Sequence, residues 1–331
     1  MALAGIIGGG AFGTAMACVL RRSGHKVLLW AREAEVATAI NYERENSVFL
    51  PGVRLEPGIV ATGDLAEASR CEFIVMAVPA QHFRSVAERM REFVAPRTPV
   101  VSCSKGIERG SCALMPEVIA QALPAATPAV LSGPSFAREI ANDLPCGVAL
   151  ACADGALAGR LAREIANPHF CVHPCGDVVG AAIGGVMKNI IAIASGIAAG
   201  RKQGENARAT LVTLGLEETI RFGLAKGARR ETFLGLSGIG DMMLTANSLQ
   251  SRNTSLGFAL AEGRSLAGVL AGRREVTEGA FSTEAVAALA KRLEVEMPIT
   301  LALDAVLNHG ADLDAVIVPL VRHLGQLERA G

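Results

Sequence analysis

Leu3-Ala4-Gly5-Ile6-Ile7-Gly8-Gly9-Gly10-Ala11-Phe12-Gly13 opens the chain with a short apolar run, a glycine cluster and the start of an amphipathic stretch. The apolar run reads as a buried strand, and the stretch from Phe12 to Arg22 as a helix. Between them Gly8 to Gly13 fits the spacing G-x-G-x-x-G. In a strand–turn–helix setting the three glycines play different parts. Gly8 permits the tight turn, Gly10 lets the backbone approach a pyrophosphate, and Gly13 lets the helix lie close to the strand. The helix N-terminus then offers N–H groups and a partial positive charge to phosphate. This stretch alone predicts a dinucleotide-binding turn.

The rest of the first half extends that reading. Lys26-Val27-Leu28-Leu29-Trp30, Phe73 to Val78, Pro99 to Cys103, Ala129 to Leu131 and Val148 to Ala151 are short apolar runs separated by helical patterns. Continuous rather than alternating apolarity suits strands covered on both faces, so the expectation is a parallel, doubly wound α/β sheet of the Rossmann type. From about residue 179 the character changes to helical patterns only, at Val179 to Ala199, Asn206 to Phe222, Leu256 to Glu262, Thr283 to Leu293 and Ile299 to Asn308. The domains are therefore drawn as 1–178 and an all-α domain at 179–331.

Composition excludes other classes. Lys plus Arg and Asp plus Glu are 32 each, so no net basic surface is available to capture nucleic acid. One Trp, one Tyr and 11 Phe supply little stacking surface for single strands. The eight cysteines are scattered and read as free thiols in a reducing cytosol. Met1 to Ile7 lacks the basic start of a signal peptide. The most apolar stretch, Gly180 to Gly200, is interrupted by Lys188, Asn189 and glycines, so stable membrane insertion is not expected. His169, Cys171, His173 and Cys175 alternate at a spacing of two, which lines them up on one face of a half-buried strand and matches no common zinc pattern, so no metal is expected.

Candidate chemistry lies at the strand ends and in the helical half. Arg32, after the second strand, suits a 2′-phosphate and leans the cofactor toward NADP, while Glu33 keeps NAD open. Lys188 sits in Gly184 to Ala194, a segment apolar nearly all round; a buried amine there can exchange a proton near neutral pH. Lys105 follows a strand at the end where open α/β sheets bind ligands, and Ser132-Gly133-Pro134-Ser135-Phe136-Ala137 follows the next strand in the same way. Asp241 stands in the glycine-rich Leu236 to Asp241 and either pairs with a lysine or caps a helix. Ser251-Arg252-Asn253 presents hydroxyl, guanidinium and amide, a set suited to a phosphate.

In order along the chain, Gly8 to Gly13, Glu45-Asn46, Leu50-Pro51-Gly52, Ala77-Val78-Pro79, Ser104 to Glu108, Leu131 to Ala137, Gly184 to Ile191, Asn206-Ala207-Arg208, Gly238 to Asp241, Ser251 to Asn253, Val276 to Gly279 and Glu296 to Ile299 resemble the bacterial NAD(P)-dependent glycerol-3-phosphate dehydrogenases. The resemblance implies a Rossmann domain followed by a helical domain like that of 6-phosphogluconate dehydrogenase. It also implies a cytoplasmic homodimer and interconversion of dihydroxyacetone phosphate and sn-glycerol 3-phosphate for phospholipid synthesis. By matching positions it implies Lys188 as general acid/base, Asp241 as its partner, and Lys105 at both substrate and cofactor. Gly133, Ser135, Ser251, Arg252 and Asn253 would line the substrate site. Ala11, Phe12, Arg32, Lys105, Ala137, Arg252, Val276 and Glu278, with Gly8, Gly10 and Gly13, would contact NADP or NAD. Ala11-Phe12 and Leu214 depart from the family, which often has Ser-Trp or Ser-Tyr at the first place and is expected to have an arginine at the second. Two other readings stay open on the sequence alone: a related β-hydroxyacid or ketopantoate-type reductase, and a non-catalytic NAD(P)-binding sensor.

Overall fold

The computed structural model describes residues 2–272 and 276–316. Its residues cluster into two compact units: Met1–Ser104 with Leu114–Ala182, and Lys105–Ala113 with the chain from Ile183 onward. A single break after residue 178 would leave Lys105–Ala113 with the sheet, but that segment clusters with the helices.

The first unit is built on an eight-stranded sheet. In spatial order its strands are Phe170–Cys175, Cys146–Cys152, Thr127–Ser132, Pro99–Ser102, Phe73–Met76, Leu3–Ile7, Lys26–Trp30 and Ile59–Thr62. Leu3–Ile7 pairs in parallel with Lys26–Trp30 on one side and Phe73–Met76 on the other, so the strand order reverses at the strand feeding the glycine turn. Such a reversal is where open α/β sheets leave a crevice at the carboxyl ends of their strands. Ile6, Ile74, Val75, Val100 and Val101 have no exposed surface, as expected for strands covered on both faces.

The sheet is not parallel throughout. Thr127–Ser132 and Cys146–Cys152 run antiparallel, and Phe170–Cys175 then follows Cys146–Cys152 in parallel. Apolar runs of four to seven residues look alike in either direction, so this reversal left no mark in the hydrophobic pattern. Phe170–Cys175 is one of the two edge strands: Phe170 is buried, while Cys171 and His173 are exposed. His169 precedes it, with its Nδ1 2.8 Å from Asp143 Oδ2. Among the described residues no group of three or more His, Cys, Asp or Glu could hold a metal ion. All eight cysteines are free thiols.

The helical unit contains most of Val178–Gly200, a 23-residue helix. By length and composition alone it is apolar enough to span a membrane despite Lys188 and Asn189; 78% of its most apolar stretch is buried inside the protein. Gly204–Ala225, Asp241–Ala246, Arg252–Ala261 and Glu278–Arg292 meet it at Gly215, Thr245, Gly257 and Gly279, and Pro298–His309 packs on Gly204–Ala225 and Glu278–Arg292. Glu218, 1% exposed, holds the start of Pro298–His309: its carboxylate accepts from the backbone N–H of Ile299 and from Thr300 N and Oγ1 at 3.2 and 3.0 Å. Burial pushes this carboxyl up to about 7, against the pull of those donors.

Candidate active site

On the first unit, the glycine turn has the geometry of a phosphate cradle. Gly8 sits at φ +122°, where a side chain is strained, and a Cβ there would lie 2.6 Å from Ala77 O. A Cβ on Gly13 would lie 2.0 Å from Gly8 O, so only glycine lets the helix sit this close to the strand. Gly10 differs: a Cβ there would meet nothing within 4 Å, so the space before the helix Ala11–Arg22 is left open. That helix begins at Gly10 without a side-chain cap. An open approach, backbone donors and the positive end of a helix together fit a pyrophosphate.

Arg32 lies just beyond Lys26–Trp30, the strand beside the turn's own, with its side chain 74% exposed. Its Nε and Nη2 both reach Glu33 Oε1, at 2.9 and 2.5 Å. Gly133, at φ +150°, and Ser135, whose Oγ donates to Gly133 O at 2.7 Å, follow the strand Thr127–Ser132. Ala137 begins the short helix Ala137–Ala141 after them.

On the helical unit, two amines converge on one carboxylate. Asp241, 1% exposed, receives Lys105 Nζ on Oδ2 at 2.6 Å and faces Lys188 Nζ from Oδ1 at 3.1 Å. Lys188 also donates to Thr245 Oγ1 at 2.9 Å, and Thr245 Oγ1 donates to Asp241 Oδ1 at 3.3 Å. Asp241 and Thr245 are four residues apart on the helix Asp241–Ala246 and so share a face. The preceding turn, Leu236–Gly240, reaches the long helix at Gly184, where a Cβ would lie 2.0 Å from Ser237 O. Gly184 is one helical turn before Lys188, so this close approach sets the lysine against the aspartate.

Electrostatics follows from burial. Desolvation brings the Lys188 ammonium down to about 8; Asp241 opposes this, and the Lys105 and Arg252 charges add to it. Burial alone would favour neutral Asp241, but the two lysines overcome that and hold its carboxyl below the usual range. The centre therefore keeps a fixed anion beside an amine that exchanges its proton near neutral pH.

The Ser251-Arg252-Asn253 trio does not present three groups together. Ser251 Oγ accepts from Thr254 N and caps the helix Arg252–Ala261, while Arg252 is exposed. Asn253 is buried: its Nδ2 donates to Asn189 Oδ1 at 2.8 Å and its Oδ1 accepts from Gly279 N at 3.0 Å. Asn189 in turn donates to the Lys105 backbone carbonyl at 2.8 Å. A chain of amides thus links Lys105 to Gly279, directly after the sequence-predicted Val276 and Glu278. Sequence reasoning passed over Thr245 and Asn189; the spacing of four from Asp241 and the adjacency to Lys188 were the available signals.

The glycine turn at the reversal of a doubly wound sheet defines the dinucleotide-binding class of protein, and the helical unit adds a buried Lys105–Asp241–Lys188 cluster. Two family profiles match, described as the N-terminus of NAD-dependent glycerol-3-phosphate dehydrogenase over residues 4–158 and its C-terminus over residues 177–318. The glycerol-3-phosphate dehydrogenase [NAD(P)+] of Rhodospirillum rubrum is 53% identical over 96% of this chain and 91% of its own, and that of Parvibaculum lavamentivorans 48% identical over 96% and 95%. The crystal structure of glycerol-3-phosphate dehydrogenase from Coxiella burnetii superposes with a TM-score of 0.92 at 36% identity, covering 97% of this chain and 98% of that one. The chain belongs to the NAD-dependent glycerol-3-phosphate dehydrogenase family.

Proposed function

We propose that this chain interconverts dihydroxyacetone phosphate and sn-glycerol 3-phosphate with NAD(P)H. The observation that carries the reading is the pairing of Lys105 and Lys188 on the buried Asp241 carboxylate, with the Lys188 amine brought to about 8. When bound, the nicotinamide supplies or accepts the hydride at the carbonyl carbon. Lys188 donates a proton from Nζ to the carbonyl oxygen as the secondary alcohol forms, and takes it back in the reverse direction. Asp241 holds the amine in place and offsets the charge of both lysines. Lys105 contacts substrate and cofactor.

Gly8, Gly10, Ala11, Phe12 and Gly13 hold the pyrophosphate through backbone groups, so the missing hydroxyl at Ala11 leaves those donors intact. Arg32, Ala137, Arg252, Val276 and Glu278 complete the cofactor contacts. Arg252 is the proposed phosphate anchor, whose binding energy orients a carbonyl several bonds away. Gly133 and Ser135 are proposed substrate contacts of the sheet unit, while Ser251 acts by capping the helix Arg252–Ala261 and Asn253 through its amide links to Asn189 and Gly279.

In this reading residues 1–178 bind the cofactor and 179–331 carry substrate binding and dimerisation, residues 317–331 lying outside those described. The enzyme works in the cytoplasm as a homodimer without stable membrane insertion or nucleic acid, and supplies glycerol 3-phosphate for phospholipid synthesis. Rates of NADH and NADPH oxidation with dihydroxyacetone phosphate, beside those with ketopantoate and β-keto acids, test it. A preference for the carboxylate substrates, or cofactor binding without turnover, would overturn the reading.

A further inference from the structure

Asn46 has no exposed surface, yet it is polar, 32 residues beyond Thr14 and 37 beyond Gly9. It ends the short strand Glu45–Asn46, which pairs with Leu50–Arg54 in a two-stranded hairpin. Its side-chain Nδ2 donates one hydrogen to Gly9 O and the other to Thr14 Oγ1, both at 2.8 Å. Its Oδ1 accepts from Phe49 N at 3.1 Å, which fixes the amide's orientation. Both hydrogens of one buried amide are thus spent on the glycine turn and the first turn of the helix that follows.

The direction of that anchor matters. A trans peptide is planar, so the carbonyl of Gly9 and the N–H of Gly10 point to opposite sides. With Gly9 O held by Asn46, the Gly10 N–H is directed away from the hairpin. A run of three glycines explores far more backbone conformations than other sequences, so an unanchored turn would hold this direction only part of the time. The second hydrogen ties the same amide to Thr14, whose backbone N–H donates to Gly10 O at 3.0 Å. Turn and helix are thereby locked to one another before any ligand arrives, and preorganisation of this kind is realised as affinity.

We infer that Asn46 is a positioning residue for the dinucleotide: it acts through Gly9 and Thr14 to aim the backbone donors of the turn at the cofactor's pyrophosphate. The inference rests on the proposed cofactor reading. The residue type is demanded by geometry. Aspartate would set an acceptor against the Gly9 carbonyl, and alanine would leave both Gly9 O and Thr14 without this partner.

The test is NADPH and NADH affinity by fluorescence titration of the full chain, with the KM values of both substrates and thermal melting. Asn46→Ala is expected to weaken cofactor binding about tenfold or more, the scale of lost buried hydrogen bonds. The KM for dihydroxyacetone phosphate is expected to stay within about twofold and kcat at saturating cofactor to fall far less than cofactor affinity. A purely structural asparagine would lower Tm and leave the cofactor's Kd unchanged. Thr14→Val, which keeps the side-chain shape and removes one acceptor, is the second variant and stands in if Asn46→Ala does not fold; it is expected to weaken the cofactor several-fold. Cofactor affinity within twofold of wild type in the folded variants overturns the inference. Failure of the wild-type chain to bind either dinucleotide would instead remove the cofactor reading, and this inference with it.

Discussion

Lys188 Nζ stands 3.1 Å from Asp241 Oδ1, while the other oxygen of the same carboxylate is held by Lys105 at 2.6 Å. One anion serving two cations leaves Lys188 under-neutralised, which is why burial prevails and its proton becomes exchangeable. Lys188→Ala is expected to lower kcat by about 10²- to 10⁴-fold, the range for loss of a positioned acid or base, with NADPH still bound. Near-normal turnover in that variant would remove Lys188 from the role.

The same amine predicts opposite pH profiles for the two directions. Reduction of the ketone needs the ammonium form, so its kcat should fall as pH rises through about 8. Oxidation of the alcohol needs the free amine and should rise over the same interval. Initial rates in both directions, followed on either side of that value, check this. Parallel profiles would exclude Lys188 as the titrating group.

Asp241→Asn takes the anion from between two ammonium groups. Removing one partner of a buried ion pair costs about 3–5 kcal/mol, so Tm should fall sharply. In whatever folds, the two lysines repel without compensation, and the alkaline limb of the reduction profile should move to lower pH. A limb at an unchanged pH would show that Asp241 does not control the Lys188 proton.

Gly184→Ala puts a methyl where the Ser237 carbonyl already is, 2.0 Å from the new carbon. The long helix must move away from the turn carrying Asp241. Overpacking of this kind costs about 1–3 kcal/mol, and a shift near 1 Å at the reacting groups costs about 10²-fold in kcat. A crystal structure and kcat of the variant test both halves; unchanged turnover would mean that the site tolerates the displacement.

Glu218 titrates at about 7 in the fold, against its ordinary 4.5. Between those values the folded chain keeps a proton that the unfolded chain has lost, so this group's contribution to stability falls as pH rises from 4.5 to 7 and is level above. Glu218→Gln should lose that slope. The difference in Tm between wild type and variant, followed across that interval, reads it directly; a constant difference would mean that Glu218 does not titrate there.

Arg32 is already occupied by Glu33 Oε1 at 2.5 Å. A cofactor 2′-phosphate has to draw the guanidinium from that partner, whereas a 2′-hydroxyl can use the carboxylate. Glu33→Gln should therefore raise the NADPH to NADH ratio of kcat/KM by about two- to fivefold, the worth of an exposed ion pair. An unchanged ratio would show that the pair does not select between cofactors.

Much of the first unit was legible because its signals are local. The runs Leu3–Ile7 and Lys26–Trp30 became strands with the expected ends, and the glycine turn followed at once. The five helices expected in the second half are all present, with Arg252–Ala261 and Glu278–Arg292 beginning four and five residues before the expected Leu256 and Thr283. Ile59–Thr62, with Val60 half exposed, has too little apolar contrast to announce itself, and it was missed. The hairpin of Glu45–Asn46 with Leu50–Arg54 was also missed, although it carries the residue that anchors the turn.

Residue order alone determined that a strand, three spaced glycines and a helix would make a phosphate-binding turn, and that a lysine lay in a segment too apolar to stay solvated. Backbone sterics and helical periodicity act over a few neighbours, so those conclusions needed no tertiary knowledge. The partners of that lysine were decided only by folding. Lys105, Lys188 and the Asp241–Thr245 pair are far apart in the chain, and Lys188 meets that pair because Gly184 admits the Ser237 carbonyl. The same holds for Asn46 on Gly9 and for the turn of Asn253 away from a phosphate role toward Asn189 and Gly279. A side-chain amide or amine can serve any acceptor within about 3 Å, and only the packed chain selects which one that is.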